Sequence, residues 1–240
     1  MTFNIWQSGQ NVENGIQKLA KHILLLDPDI VCLQENDPIQ KYKSNFKEVY
    51  EGAAENLTLM MDVTSAVGVK IFLRTGQTVN IWSAHLDYRS YGPYAANNKM
   101  VTDIHQILIG EKDRGAEILQ LIQNPMNQKW MNKSCDFPLI VAGDFNGPSH
   151  LDWNEAAKHI HGDWEVPWPA TVELAKVGFQ DSFRQLYPDN YSIPGNTWST
   201  VNKFNAEWSY TIPEPQDRID FIHYLGTLYS LFLRVTFQVL

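Results

Sequence analysis

Pro138-Leu-Ile-Val-Ala-Gly-Asp-Phe-Asn146 decides the reading of this chain. Leu139 to Ala142 form an uninterrupted apolar run, the pattern of a strand covered on both faces. Gly143 leaves room for a close backbone approach. Asp144 and Asn146 follow at i and i+2, which in a strand points both side chains to one side. Two oxygen-bearing side chains facing one way at a strand end form a site for a hard cation or a polarised water, and in a core without such a partner they would be costly. Taken alone, the pair fits a strand-end turn equally well, because Asp, Asn and Gly favour turns.

Outward from this strand the chain alternates strands and helices. Thr2-Phe-Asn-Ile-Trp6 reads as a strand broken by Gly9. Val12, Ile16, Leu19, Ala20, Ile23 and Leu24 lie on one helical stripe, closed by Asp27-Pro28. Ile30 to Leu33 is a buried strand running into Gln34-Glu35, and strand, helix, strand predicts a layered α/β architecture. Residues 36 to 66 are polar and mixed, without clear periodicity. Val67–Leu73 and Thr78–Leu86 read as a hairpin through Gly76. An aromatic loop, Tyr88 to Tyr94, precedes a helix over roughly 98 to 123, interrupted near Gly110. Ser149 reads as an N-cap with Asp152 as its capping-box partner. Pro169 opens a helix through Lys176. Pro194 to Trp198 is a turn into a strand, and Arg218-Ile-Asp-Phe-Ile222 is the last strand. With no repeat, low-complexity segment or linker, the 240 residues read as one domain.

Composition narrows the function classes. A net charge of −8 argues against a stable nucleic-acid complex, since phosphate-driven binding needs a basic surface. Two cysteines, Cys32 and Cys135, cannot build a disulfide framework, and Cys32 is expected to be buried. Most of the eight Trp are assigned to the core. Sequons at Asn56, Asn132 and Asn190 do not establish secretion. No signal peptide opens the chain and no apolar run is long enough to span a membrane, so a soluble protein is expected, with its compartment unassigned.

Four strands end in polar groups: Asn4, Glu35, the His85/Asp87 pair and the Asp144/Asn146 pair. A fifth carries Asp220 within an apolar run. Strand ends on one sheet edge converge in space, and carboxylate and amide oxygens suit Mg²⁺, with Mn²⁺ as the substitute. Zinc would need His and Cys clusters that this spacing does not supply. His159 and His161 have no third ligand and read as surface residues. Asp87 fits a site or a turn. Arg218 offers a local partner for Asp220, and Trp198 is expected to pack beneath the cleft.

In order along the chain, Thr2-Phe-Asn4, Asp29 to Glu35, Ser83-Ala-His85, Gly143-Asp-Phe-Asn146 and Arg218-Ile-Asp-Phe221 resemble the endonuclease/exonuclease/phosphatase superfamily of DNase I-like metal-dependent phosphoesterases. The resemblance runs to about residue 224. It implies a four-layer α/β/β/α sandwich of two packed mixed sheets flanked by helices. It also implies a Mg²⁺-dependent hydrolase of phosphoester bonds, with water attacking phosphorus in line. By that resemblance Glu35 ligates the metal with Asn4 beside it. Asp144 orients or deprotonates the water. Asn146 holds a phosphate oxygen or the metal, and His85 donates to a nonbridging phosphate oxygen. Asp220 corresponds to the residue that orients a later histidine in a Ser-Asp-His motif. Arg89 is assigned to phosphate contact and His150 to the cleft lining. The partner is a phosphoester substrate, whether small molecule, lipid headgroup or nucleic acid, and the chain is expected to act as a monomer.

The sequence departs from the family at its end. No Ser-Asp-His motif follows Asp220, so a C-terminally truncated member lacking its final strand is expected. His223 falls three residues on, facing the other way along the strand. The alternative reading is therefore a catalytically impaired relative that keeps the fold and metal or phosphate binding. An unrelated α/β binding protein would leave the five ordered motifs unexplained.

Overall fold

A computed structural model describes residues 1–35, 57–73, 76–199 and 201–227. Two sheets carry the architecture. The smaller pairs β1 (Thr2–Asn4) with β2 (Cys32–Gln34) in parallel. Helix α1 (Gly15–Leu26) makes the crossover between them and buries Leu19 and Ile23. The larger sheet is six-stranded and mixed, in the order β3 (Leu57–Val63), β4 (Ala66–Phe72), β5 (Thr78–His85), β6 (Leu139–Asp144), β8 (Asp220–Leu225) and β7 (Gln180–Asp181). Only β5 and β6 are parallel in that sheet.

Strand β6 shows why its sequence is apolar on both faces. Leu139 and Val141 join Trp82, Phe145, Phe221 and a helical layer of Ile118, Leu121, Ile122 and Leu174 in one core. Ala142 turns the other way, with Ile81 and Cys32, and Ile140, Ile222 and Ile30 pack around them between the two sheets. The helical layer is α4 (Lys112–Gln123) and α6 (Pro169–Lys176). Short helices α2 (Gly92–Asn97), α3 (Ile104–Gly110), α5 (Pro125–Met131) and α7 (Ser182–Leu186) complete the described α-helices. With α1 beside the small sheet, the layering is the mixed α/β, DNase I-like sandwich expected from the sequence.

Several local expectations change. The helix expected from 98 starts at Ile104, because Asp103 makes a capping box with Gln106. The interruption near Gly110 is real: Glu111 separates α3 from α4. Ser149 caps a turn through Leu151 N–H (3.1 Å), and turns rather than an α-helix lead on to a short 3-10 helix at Lys158–Ile160. Asp152 is a buried ion-pair partner of Arg184 and Arg218 instead. The residues after Pro194 form only a single bridge between Trp198 and Asp217. Within residues 36 to 66, β3 was not visible in the sequence; residues 36–56, with the Asn56 sequon, lie outside the described residues, as does the chain after 227. At Asn190 the amide is buried and donates to the carbonyls of Leu151 and Asp152, which leaves that sequon no free acceptor nitrogen.

Gly143 is required by the β5–β6 pairing. A Cβ built there would lie 1.9 Å from the Ala84 carbonyl oxygen of the neighbouring strand. Neither backbone can retreat without breaking the ladder. Gly143→Ala is expected to lower stability by roughly 3 kcal/mol or more, read as a lower denaturant midpoint at unchanged slope.

Candidate functional site

The C-terminal ends of β1, β2, β5 and β6 meet the N-terminal end of β8 at one edge of the space between the sheets. His85, Asp144 and Asp220 are register partners across β5, β6 and β8, so their side chains leave the large sheet in one row. Asn4 and Glu35 approach from the small sheet. The Asn4 amide nitrogen donates to Glu35 Oε1 (3.1 Å) and to Asp144 Oδ2 (3.0 Å). Its oxygen accepts from Trp6 N–H (2.9 Å), which fixes the end of the amide that faces the carboxylates. One nitrogen thus ties residues 140 positions apart in the chain.

Local backbone geometry holds this edge. Trp6, Gln7 and Ser8 are all left-handed, with φ of 41°, 52° and 58°, and Gly9 follows at 74°. Each non-glycine residue in that region costs roughly 1 kcal/mol. The turn returns hydrogen bonds to Glu35: Gln7 N–H donates to Glu35 Oε2 (2.8 Å) and Ser8 N–H to its carbonyl (2.9 Å). Glu35 and Asn146 are themselves left-handed, at 57° and 48°. Such outliers concentrate where a structure must aim side chains. Between the sheets, buried Gln34 donates to Ser83 Oγ (3.2 Å) and accepts from Thr2 (3.2 Å), fixing the two sheets in register beside the site.

Asp144 is buried. Burial raises its proton affinity most, and the negative charge of Glu35 adds to that. Hydrogen bonds from Asn4 and from Asn146 N–H (2.8 Å), with nearby His85, pull the other way without cancelling the rise. The Asn146 amide donates to the Leu86 carbonyl (2.9 Å), spanning β6 and the end of β5. Asp220 is pushed to about 8, chiefly by burial and then by Asp144 opposite it. Thr197, which sequence reading missed, accepts N–H bonds from Ile219 and Asp220 (3.0 and 3.2 Å) and hydrogen-bonds the Asp220 carboxylate. Its only sequence signal was a hydroxyl inside a turn, which is no signal at all.

Arg218 does not serve Asp220. Its guanidinium, 2% exposed, is held by Asp152 and Asp181, with Nη2 2.7 Å from Asp181 Oδ2. Two nearby histidines also sit away from the row. His223 is buried on the opposite face against Phe145 and Phe221, and its Nε2 has no hydrogen-bond partner among the described residues. Burial lowers its pKa to about 4. His150 has Nδ1 2.8 Å from Thr171 Oγ1, and its charged neighbours are Asp152, Asp181 and Arg218. No hydrogen bond joins it to Asp144 or Glu35. Arg89 is exposed and paired with Asp87, which also accepts the Arg89 N–H (2.8 Å), so Asp87 is a turn residue. Buried Arg114 anchors that turn through the carbonyls of Asp87, Arg89 and Ser90.

Two further readings are corrected. His161 is buried, stacked on Trp153 at 4.2 Å, rather than on the surface, while His159 is exposed. Trp198 is 40% exposed and does not pack beneath the cleft.

Among the described residues, no three His, Cys, Asp or Glu side chains close on one point. The oxygen donors here are the Glu35 and Asp144 carboxylates with the side-chain oxygen of Asn146, while Asn4 turns its NH2 toward the carboxylates and holds them in place. Among the described residues, the hydrogen bonds to the Glu35 and Asp144 carboxylates come from Asn4, Gln7 and Asn146 and none from Lys or Arg. All-oxygen donors with surplus negative charge fit a hard divalent ion.

Comparison with known proteins agrees with this architecture. The Caenorhabditis elegans protein F14F9.5 is 52% identical over 257 residues, covering 94% of this chain and 78% of that protein. The human Nocturnin catalytic domain, solved with a bound sulfate anion, is similar in fold, with a TM-score of 0.52 at 18% identity over 92% of this chain and 80% of that one. An endonuclease/exonuclease/phosphatase from Beutenbergia cavernae gives 0.51 at 13% identity, over 93% and 63%. Residues 1–237 match the profile of the endonuclease/exonuclease/phosphatase family, and the chain belongs to that family.

Proposed function

We propose that this chain hydrolyses phosphoester bonds with a divalent cation, Mg²⁺ or Mn²⁺, held at the Asn4–Glu35–Asp144 edge. The observation that carries this reading is the single Asn4 amide joining carboxylates from both sheets. Glu35, with Asn4 beside it, would hold the ion, which when bound would supply a Lewis acid for the phosphoryl group. Asp144 has the raised proton affinity of a group that can take a proton from water. His85, next to Asp144 in the row, would donate to a nonbridging oxygen, and its register pairing with Asp144 supports that role. Asn146, fixed by its bonds to Leu86 and Asp144, would hold a phosphate oxygen or contribute to the ion site. The negative charge of the whole chain favours a small or lipid phosphoester over a polyanion.

A second reading, a relative that keeps the fold with impaired turnover, is favoured by one observation. His223 lies on the face of β8 opposite Asp220 and cannot pair with it.

Two outcomes are expected. Purified protein should hydrolyse a chromogenic phosphodiester only with added Mg²⁺ or Mn²⁺, and Asp144→Ala should lower the rate by about a thousandfold or more. Metal-dependent turnover equal in wild type and variant would remove Asp144 from the reaction. Calorimetric Mn²⁺ titration, independent of turnover, should lose its binding signal in Glu35→Gln. The second outcome concerns pH. Asp220 keeps its proton to about pH 8 when folded and loses it near 3.8 when unfolded. The folded state therefore binds the extra proton between those values, and stability falls as pH rises through that window. In chelator, Asp220→Asn should melt progressively higher than wild type as pH goes from 5 to 8. A constant difference across that range would contradict the assignment.

A further inference from the structure

The described residues between Trp198 and Tyr210 are braced by hydrogen bonds, and several of their large apolar side chains face solvent. Thr197 and Trp198 N–H groups both donate to the Asp217 carbonyl (2.9 and 2.8 Å). Asn205 N–H donates to Ile212, Tyr210 N–H to Asn205, and Glu214 N–H to Lys203. Asn205 also donates to the Tyr94 hydroxyl (2.6 Å), and Trp208 stacks on Tyr94 at 6.3 Å and 13°. This is a hydrogen-bonded loop, not a frayed one. Yet Trp198, Val201, Phe204, Trp208 and Tyr210 are all exposed, Tyr210 by 68%. A fixed scaffold that holds five large apolar groups toward solvent marks a surface meant to be covered.

The chemistry selects the covering. Trp and Tyr with apolar bodies and polar tips, interleaved with Asn and Ser, match the boundary between headgroups and hydrocarbon. A polyanion is a poor match. Between 198 and 212 the described cation is Lys203, which is bonded to Gln216 Oε1 (2.6 Å), and the chain carries a net −8. The same charge opposes anionic lipid. The loop also starts at the candidate site: Thr197, the residue before Trp198, hydrogen-bonds Asp220 in the row with Asp144.

We propose that Trp198–Tyr210 is a docking loop for a zwitterionic lipid surface, setting the Asp144 edge against the headgroup layer so that a lipid phosphoester is its substrate class. The substrate half rests on the phosphoester-hydrolase reading; the docking half does not.

The test is sedimentation of the full chain with phosphatidylcholine vesicles, with tryptophan quenching by brominated phosphatidylcholine as a second readout. Wild type is expected to co-sediment and to be quenched. Adding phosphatidylserine should weaken binding. The Phe204→Ser/Tyr210→Ser double variant should partition at least about tenfold more weakly. Circular dichroism reports its folding, and Val201→Ser/Tyr210→Ser takes its place if it does not fold. Protein remaining in the supernatant overturns the proposal, as does equal partitioning of a folded variant. So does binding that appears only with phosphatidylserine and vanishes in salt. Light scattering that shows self-association lost in the variant, in place of vesicle binding, would assign the surface to a second copy. Because none of these readouts needs turnover, failure of the hydrolase reading and failure of docking are separately visible.

Discussion

A single side-chain amide has to satisfy two carboxylates from two different sheets, and the surrounding structure follows from that constraint. Asn4 can donate to both Glu35 and Asp144 only if β1 lies across the end of β6 and its own oxygen is occupied elsewhere, which Trp6 N–H provides. That bond requires the chain to turn immediately after the strand. The left-handed run from Trp6 to Ser8 is the turn, and it sends further N–H groups back to Glu35. Hydrogen bonds to charged groups contribute about 1.5–3 kcal/mol each, enough to offset the backbone strain of those residues. The apolar contacts of Ile81, Ala142 and Cys32 bring the sheets together, and the amide sets where their edges stop.

The opposite face of the large sheet solves a different charge problem. Arg184 and Arg218 are buried with Asp152 and Asp181, and the remaining Arg184 donors go to the backbone carbonyls of Tyr187, Ile193 and Pro194. Asp181 is held down at about 2 despite its burial, because Arg218 compensates. There the charges close among themselves. Around Asp144 they do not: burial and the neighbouring acids raise the proton affinity of Asp144 and Asp220 together. Buried ion pairs that balance are framework, while a cluster left unbalanced marks a place prepared for something else.

How much of this could be read from sequence depended on how local the cause was. The β6 strand, the β4–β5 hairpin and α6 were legible because apolar runs, Gly76 and Pro169 act within a few residues. The five strand-end polar groups were legible because strand order brings such ends to one edge. What escaped was pairing at long range. Arg218 stands two residues from Asp220 and was its obvious partner, but it is taken by Asp152, 66 positions away. His161 sits in a loop, which sequence reads as surface, and only Trp153 beneath it makes it buried. Thr197 matters solely because β8 returns beside it. None of these has a sequence period to find.

The uncompensated charge also bears on how site and fold depend on each other. Glu35 follows β2 of the small sheet and Asp144 ends β6 of the large one, so the repulsion between them acts directly against the docking of the two sheets. A cation bound there, on the proposed reading, would remove the repulsion in the folded state and find no equivalent place in the unfolded one. Binding only to the folded form adds to stability by mass action. The residues that would perform the chemistry would then also be the ones whose ligand closes the sandwich. The strained turn at Trp6–Ser8 is consistent with this, since a site held against its own repulsion needs its ligands fixed before the ion arrives.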